Sequence, residues 1–139
     1  MDWFTPFKLR DNILWHKGFG KVMARDVKFS FDRVMDSPTR SPFAGEVNKA
    51  VKEVKVVDDF TVEIHLKQPD AVFLHKCTPP KPVAIVCKSA VEKYGKDFSR
   101  NPIGSGPFVF ESMTREQVVL TSNKDYFEGP PKIDRGINK

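Results

Sequence analysis

The sequence predicts an α+β fold, an antiparallel sheet built from hairpins with helices packed on one face, and three observations predict it. Phe60, Val62, Ile64 and Leu66 alternate strictly with Thr61, Glu63, His65 and Lys67 after a valine-rich run, the pattern of a hairpin with one dry face. A second alternating pair, Pro107 to Glu111 and Gln117 to Thr121, flanks a polar connection at Thr114, Arg115 and Glu116. Val27, Phe31, Val34 and Met35 fall at helical spacing and form one apolar stripe.

Taken in order, Phe7 to Trp15 reads as extended chain that turns at Lys17-Gly18, with Gly20 a second breaker. The amphipathic helix follows from Ala24 to about Asp36. Ser37-Pro38 and Ser41-Pro42 punctuate its exit, because a residue before proline is pushed out of the helical region. A short helical piece is expected around Phe43 to Asn48. Val51 to Val57 and Phe60 to Leu66 then make the first hairpin, with its turn at Asp58-Asp59. Asp70 to Lys76 reads as a short helix after Pro69. The run Thr78-Pro79-Pro80-Lys81-Pro82 forces an extended connection, since proline fixes φ and lacks an amide donor. Val83 to Val86 reads as a buried strand and Ser89 to Tyr94 as another short helix, ahead of the second hairpin.

Composition limits the function classes. The 139 residues, 40% hydrophobic and 29% charged, suit one folded domain, residues 1–139, with no disordered tail. No apolar run approaches the length needed to span a bilayer, so the chain is not expected to be transmembrane. A formal charge of +5 is spread along the chain and not gathered into a block, which fits a solvated surface. The wet face of the first hairpin carries Thr61, Glu63 and His65 where a single-strand nucleic-acid binder needs aromatics beside lysines, so no nucleic-acid partner is expected. Cys77 and Cys87 lack metal-type spacing. Whether they pair is left open by sequence, with half-buried thiols the expectation.

No catalytic set can be assembled from spacing. His16, His65 and His75 share no ligand motif and are expected at the surface, and Asp58-Asp59 is expected as a solvated turn, not a carboxylate pair. Pro102-Ile103-Gly104-Ser105-Gly106-Pro107-Phe108 looks like a phosphate loop, but it lacks Gly-Lys-Ser/Thr before a helix and leads into a strand. It also lacks nucleophile-elbow spacing. The expected role of Gly104, Gly106 and Pro107 is a tight turn that uses positive-φ freedom to start a hairpin. No catalytic residue, metal or cofactor is expected.

Four segments in fixed order carry a resemblance: Phe7 to Gly18, Ala24 to Val34, Arg100 to Phe108 and Asn123 to Asp134. Together they resemble the extracellular solute-binding proteins of bacterial ABC importers, family 5, which include peptide, oligopeptide and nickel receptors. Trp15-His16-Lys17-Gly18 stands where the family has a Trp-His-Asp-Gly turn, with lysine in place of the acid. Met23-Ala24-Arg25-Asp26 stands where a threonine usually caps the helix and an acid follows three residues on; here Asp26 keeps the acid and Met23 removes the hydroxyl. Asp125-Tyr126-Phe127 and Gly129 to Asp134 match an acid-Tyr-Trp run followed by a Gly-x-Pro segment, with Phe127 replacing tryptophan; Tyr126 and Gly129 are its structural markers.

The resemblance implies the small second domain of a periplasmic-binding-protein-like II fold, with 1–22 and 132–139 as edge segments joining a main lobe. It implies part of the substrate-binding component of an importer of peptides or related solutes, exported to the periplasm or cell envelope, with an ABC permease as membrane partner and no enzymatic activity. A stand-alone interaction module without solute affinity is the alternative. The family's ligand contacts come mainly from the large lobes. Trp15, Phe19, Lys81, Val83 and Ile85 are therefore the places where this chain could touch a solute, with packing their expected role.

Overall fold

The computed structural model describes residues 2–36, 41–77 and 83–138. Lys81 and the proline-rich connection around it lie outside the described residues. The chain divides into two compact units, one made of Met1–Leu9 and Met23–Val86, the other of Arg10–Val22 and Cys87–Lys139.

The first unit holds strands β1 (Trp3–Lys8), β2 (Val51–Asp58) and β3 (Thr61–Leu66) with helices α1 (Ala24–Met35), α2 (Ala44–Ala50) and α3 (Phe73–Lys76). The sheet is antiparallel in the order β1-β3-β2. β3 is central because its alternation supplies one fully apolar face: Val62, Ile64 and Leu66 are buried against Val27 and Phe31 of α1. Pro6 sits in β1, an edge strand, where a missing amide donor costs no ladder bond on the open side. Val51 and Val54 of β2 are buried whereas Val56 and Val57 are exposed. Register shifts between Val51 and Glu53 and between Val56 and Asp58 break the period-2 pattern there.

The ends of α1 and α2 are tied by polar contacts. Ala24 N–H donates to Asp59 O at 2.8 Å, and the Asp26 carboxylate accepts from Met23 N–H at 3.0 Å. Met23 offers only a thioether at the cap position, so the reciprocal cap rests on its Asp26 half. Ser30, within α1, donates its hydroxyl to Asp26 O at 2.7 Å and accepts from Val86 N–H at 2.9 Å. Asn48 Nδ2 donates to Met35 O at 3.2 Å, and Lys67 N–H to Ala50 O at 3.0 Å.

The second unit holds α4 (Lys88–Tyr94) and strands β4 (Phe108–Met113), β5 (Val118–Ser122) and β6 (Arg135–Asn138), antiparallel in the order β4-β5-β6. Thr114 builds the β4–β5 turn: its hydroxyl accepts from Glu116 N–H and Gln117 N–H, and its own N–H donates to Gln117 O at 2.8 Å. Trp15, Cys87, Ala90, Ile103 and Val119 are its buried apolar residues, Cys87 standing immediately before α4.

Several sequence expectations are corrected. The extended segment near the start is β1, Trp3–Lys8, and the chain then turns, leaving Leu14 as a single bridge to Lys21. The first hairpin turns at Asp59-Phe60, since Asp58 still pairs with Thr61. The helix expected from Asp70 is only Phe73–Lys76, because Asp70 Oδ1 accepts from Val72 N–H and the Asp70 carbonyl accepts from Phe73 N–H, closing a turn first. Val83 to Val86 is not a strand: Val86 N–H bonds to a helix hydroxyl instead of a sheet neighbour. His65 is buried, not solvated, because β1 lays Phe4 over it, with ring centroids 5.1 Å apart. The strand β6 had no sequence signal, as Arg135 to Asn138 neither alternates nor carries β-branched residues apart from Ile137.

Candidate functional site

In the second unit, the loop from Trp15 to Gly20 is shaped by backbone conformations that side chains resist. Lys17, Gly18 and Gly20 all have positive φ, which suits the two glycines but strains Lys17. His16, expected at the surface, is buried and fastened at both ends. Its backbone N–H donates to Gly104 O at 2.8 Å, and its Nε2–H donates to Gly106 O at 2.9 Å. Asn123 Nδ2 donates to the same Gly106 carbonyl at 3.0 Å, using its second lone pair.

This pairing corrects the reason given for the glycine segment. The described glycines with positive φ are Gly18, Gly20, Gly95 and Gly129, so neither Gly104 nor Gly106 uses left-handed freedom. What the segment supplies is two carbonyls; a Cβ on Gly104 would lie 3.4 Å from the His16 ring, at ordinary contact distance. Pro107 extends the anchor, its carbonyl accepting from Asn123 N–H at 2.8 Å. Sequence reading located the segment and missed its partner, because nothing in the spacing links His16 to a loop ninety residues on.

A cleft of about 420 Å³ opens beside this loop, lined by Trp15, His16, Lys17, Ser122, Asn123 and Lys124 among others. Its lining mixes the hydroxyl of Ser122, the ammonium groups of Lys17 and Lys124 and the carboxylate of Asp125 with two buried side chains, Trp15 and Asn123. Phe19 lies 6.1 Å from the Tyr94 ring, and the Lys93 ammonium sits 5.3 Å above Phe19. Tyr126 meets Phe127 edge-on at 4.8 Å, donates to Glu128 at 3.1 Å, and is pushed above the ordinary phenol range by burial and then by that carboxylate. Gly129, at φ 95°, closes the turn through its N–H to Tyr126 O at 2.8 Å. Lys124 pairs with Asp134, whose carboxyl is held below the usual range by that hydrogen bond first and by the charge second.

In the first unit, Val83 and Ile85 pack against the core and line an apolar cavity of about 210 Å³. They belong to a different unit from Trp15 and Phe19, and Lys81 lies outside the described residues. Cys77 borders the cavity, and burial raises its thiol above the ordinary value. Both cysteines are thiols. Among the described residues no group of three or more His, Cys, Asp or Glu could hold a metal ion. Asp26, the other marked residue, is buried and serves the start of α1.

The family model for bacterial extracellular solute-binding proteins, family 5 Middle, matches residues 5–137. The chain belongs to this family. Among its relatives, the di/tripeptide-binding protein 2 of Pseudomonas aeruginosa is 30% identical over 92% of this chain and 28% of its own length. Among solved structures, MoaA of A. tumefaciens R10, in complex with mannopinic acid, superposes with a TM-score of 0.88 at 39% identity, covering 95% of this chain and 27% of that one. A periplasmic oligopeptide-binding protein from Borrelia burgdorferi superposes at 0.86 with 29% identity, covering 96% of this chain and 30% of its own. The family 5 chain described here therefore spans about a quarter of the length of the curated relatives it matches. Its α+β architecture is that of the type II periplasmic binding proteins.

Proposed function

We propose that this chain is the middle-domain part of the substrate-binding component of an ABC importer for peptides or related solutes. The observation that carries the reading is the family match over residues 5–137, together with superposition on one protein named for oligopeptide binding and another in complex with mannopinic acid. In this reading residues 1–139 act as one domain within a larger receptor, with 1–22 and 132–139 as the segments adjoining its main lobe. The receptor hands its solute to a membrane permease, works outside the inner membrane, and catalyses no reaction. No helix among the described residues is long and apolar enough to cross a membrane, which suits a receptor that meets its permease from outside.

Of the residues singled out in the sequence, Trp15 is the one we place at a solute wall. Its cleft is lined by the charged and hydroxyl side chains of Lys17, Ser122 and Asp125, which match peptide chemistry, whereas Val83 and Ile85 border an apolar pocket that would leave a peptide's polar groups unpaired. Phe19, held between Tyr94 and Lys93, is given a packing role.

The test is uptake. In-frame deletion of residues 5–137 from the gene in its own cell is expected to abolish import of at least one member of a panel of labelled di-, tri- and oligopeptides and sugar–amino acid conjugates. Unchanged import across the whole panel would sink the reading.

A further inference from the structure

Two walls of the cleft beside Trp15 meet on one backbone atom. The first wall is the loop of Trp15 and His16, closed at its base by Trp15 N–H to Gly20 O at 2.8 Å and Val22 N–H to Ile13 O at 2.9 Å. The second is the segment of Ser122 and Asn123, tied down by Asn123 N–H to Pro107 O at 2.8 Å. Between them, His16 Nε2–H and Asn123 Nδ2 donate to the two lone pairs of the Gly106 carbonyl, at 2.9 and 3.0 Å. Each of these residues is only 7% exposed, so a donor that lost the carbonyl would not find water in its place. Asn123 is held at its other end as well, its Oδ1 accepting from Asp125 N–H at 3.1 Å. On the loop side, Lys17 keeps a positive φ of 57°, a conformation that persists only where surrounding contacts impose it.

We propose that His16 and Asn123 are positioning residues for the solute wall: through the Gly106 carbonyl they share, they hold Trp15 and the Ser122 side of the cleft at a fixed separation. The inference rests on the reading of Trp15 as a solute contact, and it requires neither His16 nor Asn123 to touch the solute. A network that only stabilised the fold would change how much receptor is present. One that positions a wall changes how tightly the folded receptor takes its solute.

Glutamine carries its amide nitrogen where histidine has Nε2, whereas the shorter asparagine falls short of the Gly106 carbonyl. His16→Gln is therefore the rescue and His16→Asn the break. Asn123→Asp breaks the second bond and keeps the acceptor for Asp125 N–H. The sequence holds two tryptophans, so in a Trp3→Phe background the emission of the chain is that of Trp15 alone, and acrylamide quenching reads its exposure. Both breaking variants should raise the quenching constant severalfold. In cells, the labelled peptide or conjugate whose import is lost on deleting residues 5–137 should need about tenfold more solute for half-maximal import in either breaking variant, while the maximal rate falls less than about twofold. His16→Gln should return both readouts to the parent values. Raised quenching with an unshifted half-saturation would reduce the network to a structural tie and overturn the positioning role, with the receptor reading intact. If no solute of the panel depends on residues 5–137, that reading falls and this inference falls with it. Unchanged quenching in both breaking variants, failure of both to fold, or His16→Gln behaving as His16→Asn would equally overturn the proposal.

Discussion

At the scale of single residues, two positions at helix α1 show how much of the stability argument lies in backbone partners. Met23 replaces a hydroxyl at the helix start, a change that ordinarily costs about 1 kcal/mol. The structure reduces that cost, because Ala24 N–H already bonds to Asp59 O and Asp26 N–H to Met23 O. Met23→Thr is therefore expected to stabilise the chain by only about 0.5 kcal/mol, read as a rise in urea midpoint; an unchanged or lower midpoint would refute the capping argument. Ser30 is the converse case. Its hydroxyl is the acceptor for Val86 N–H, and the residue is 1% exposed. Ser30→Ala leaves that amide without its partner and should cost about 1–3 kcal/mol, whereas an effect below ~0.5 kcal/mol, the level of an ordinary surface change, would show that the Val86 contact is incidental.

At the scale of elements, legibility followed period and failed with register. Helix α1 and both hairpins were readable from local signals, the clearest being a 3.6-residue stripe in α1 and strict sequence alternation along β3. The buried state of His65 was not readable, since it depends on β1 pairing alongside β3 from some sixty residues earlier and bringing Phe4 onto the face that alternation alone marks as wet. His16 fails for the same reason: its acceptors Gly104 and Gly106 come from the far side of the sequence. The valines of β2 are the sharpest case, because Val54 and Val56 lie in unbroken register opposite Ile64 and Val62 and so share a face, yet only one of them is covered. Val54 is 2% exposed and Val56 is 44% exposed. Val54→Ala should then cost about 2 kcal/mol through lost burial and the space left behind, and Val56→Ala should stay within about 0.5 kcal/mol. Equal losses in chemical denaturation would mean that Val56 is covered in solution as fully as Val54.

At the scale of the whole chain, the acid response brings both units into one measurement. The chain carries a formal charge of +5, and protonating its 18 acidic residues adds positive charge that the compact state must hold against self-repulsion. Two carboxyls lie on the sensitive side of that titration. Asp58, in the first unit, is held below the ordinary aspartate value of 3.8 mainly by Phe60 N–H, then by the Thr61 hydroxyl. Asp134, in the second, is lowered from the same value by Lys124. A carboxyl whose folded value is depressed contributes stability that is present in full above its unfolded value and is lost as pH falls through the folded one. Asp58→Asn and Asp134→Asn should each be less stable than the parent at pH 7, and both differences should fade below about pH 3.8 as the parent carboxyls take up protons. Salt separates the two causes. The Lys124–Asp134 pair is exposed on both sides and should weaken at high ionic strength, while the amide bond to Asp58 should not. Urea midpoints for the three proteins, taken from pH 7 to pH 2 at low and high salt, measure this directly; a parent that loses no more stability on acidification than the two variants would show that neither carboxylate is held by its partner in solution.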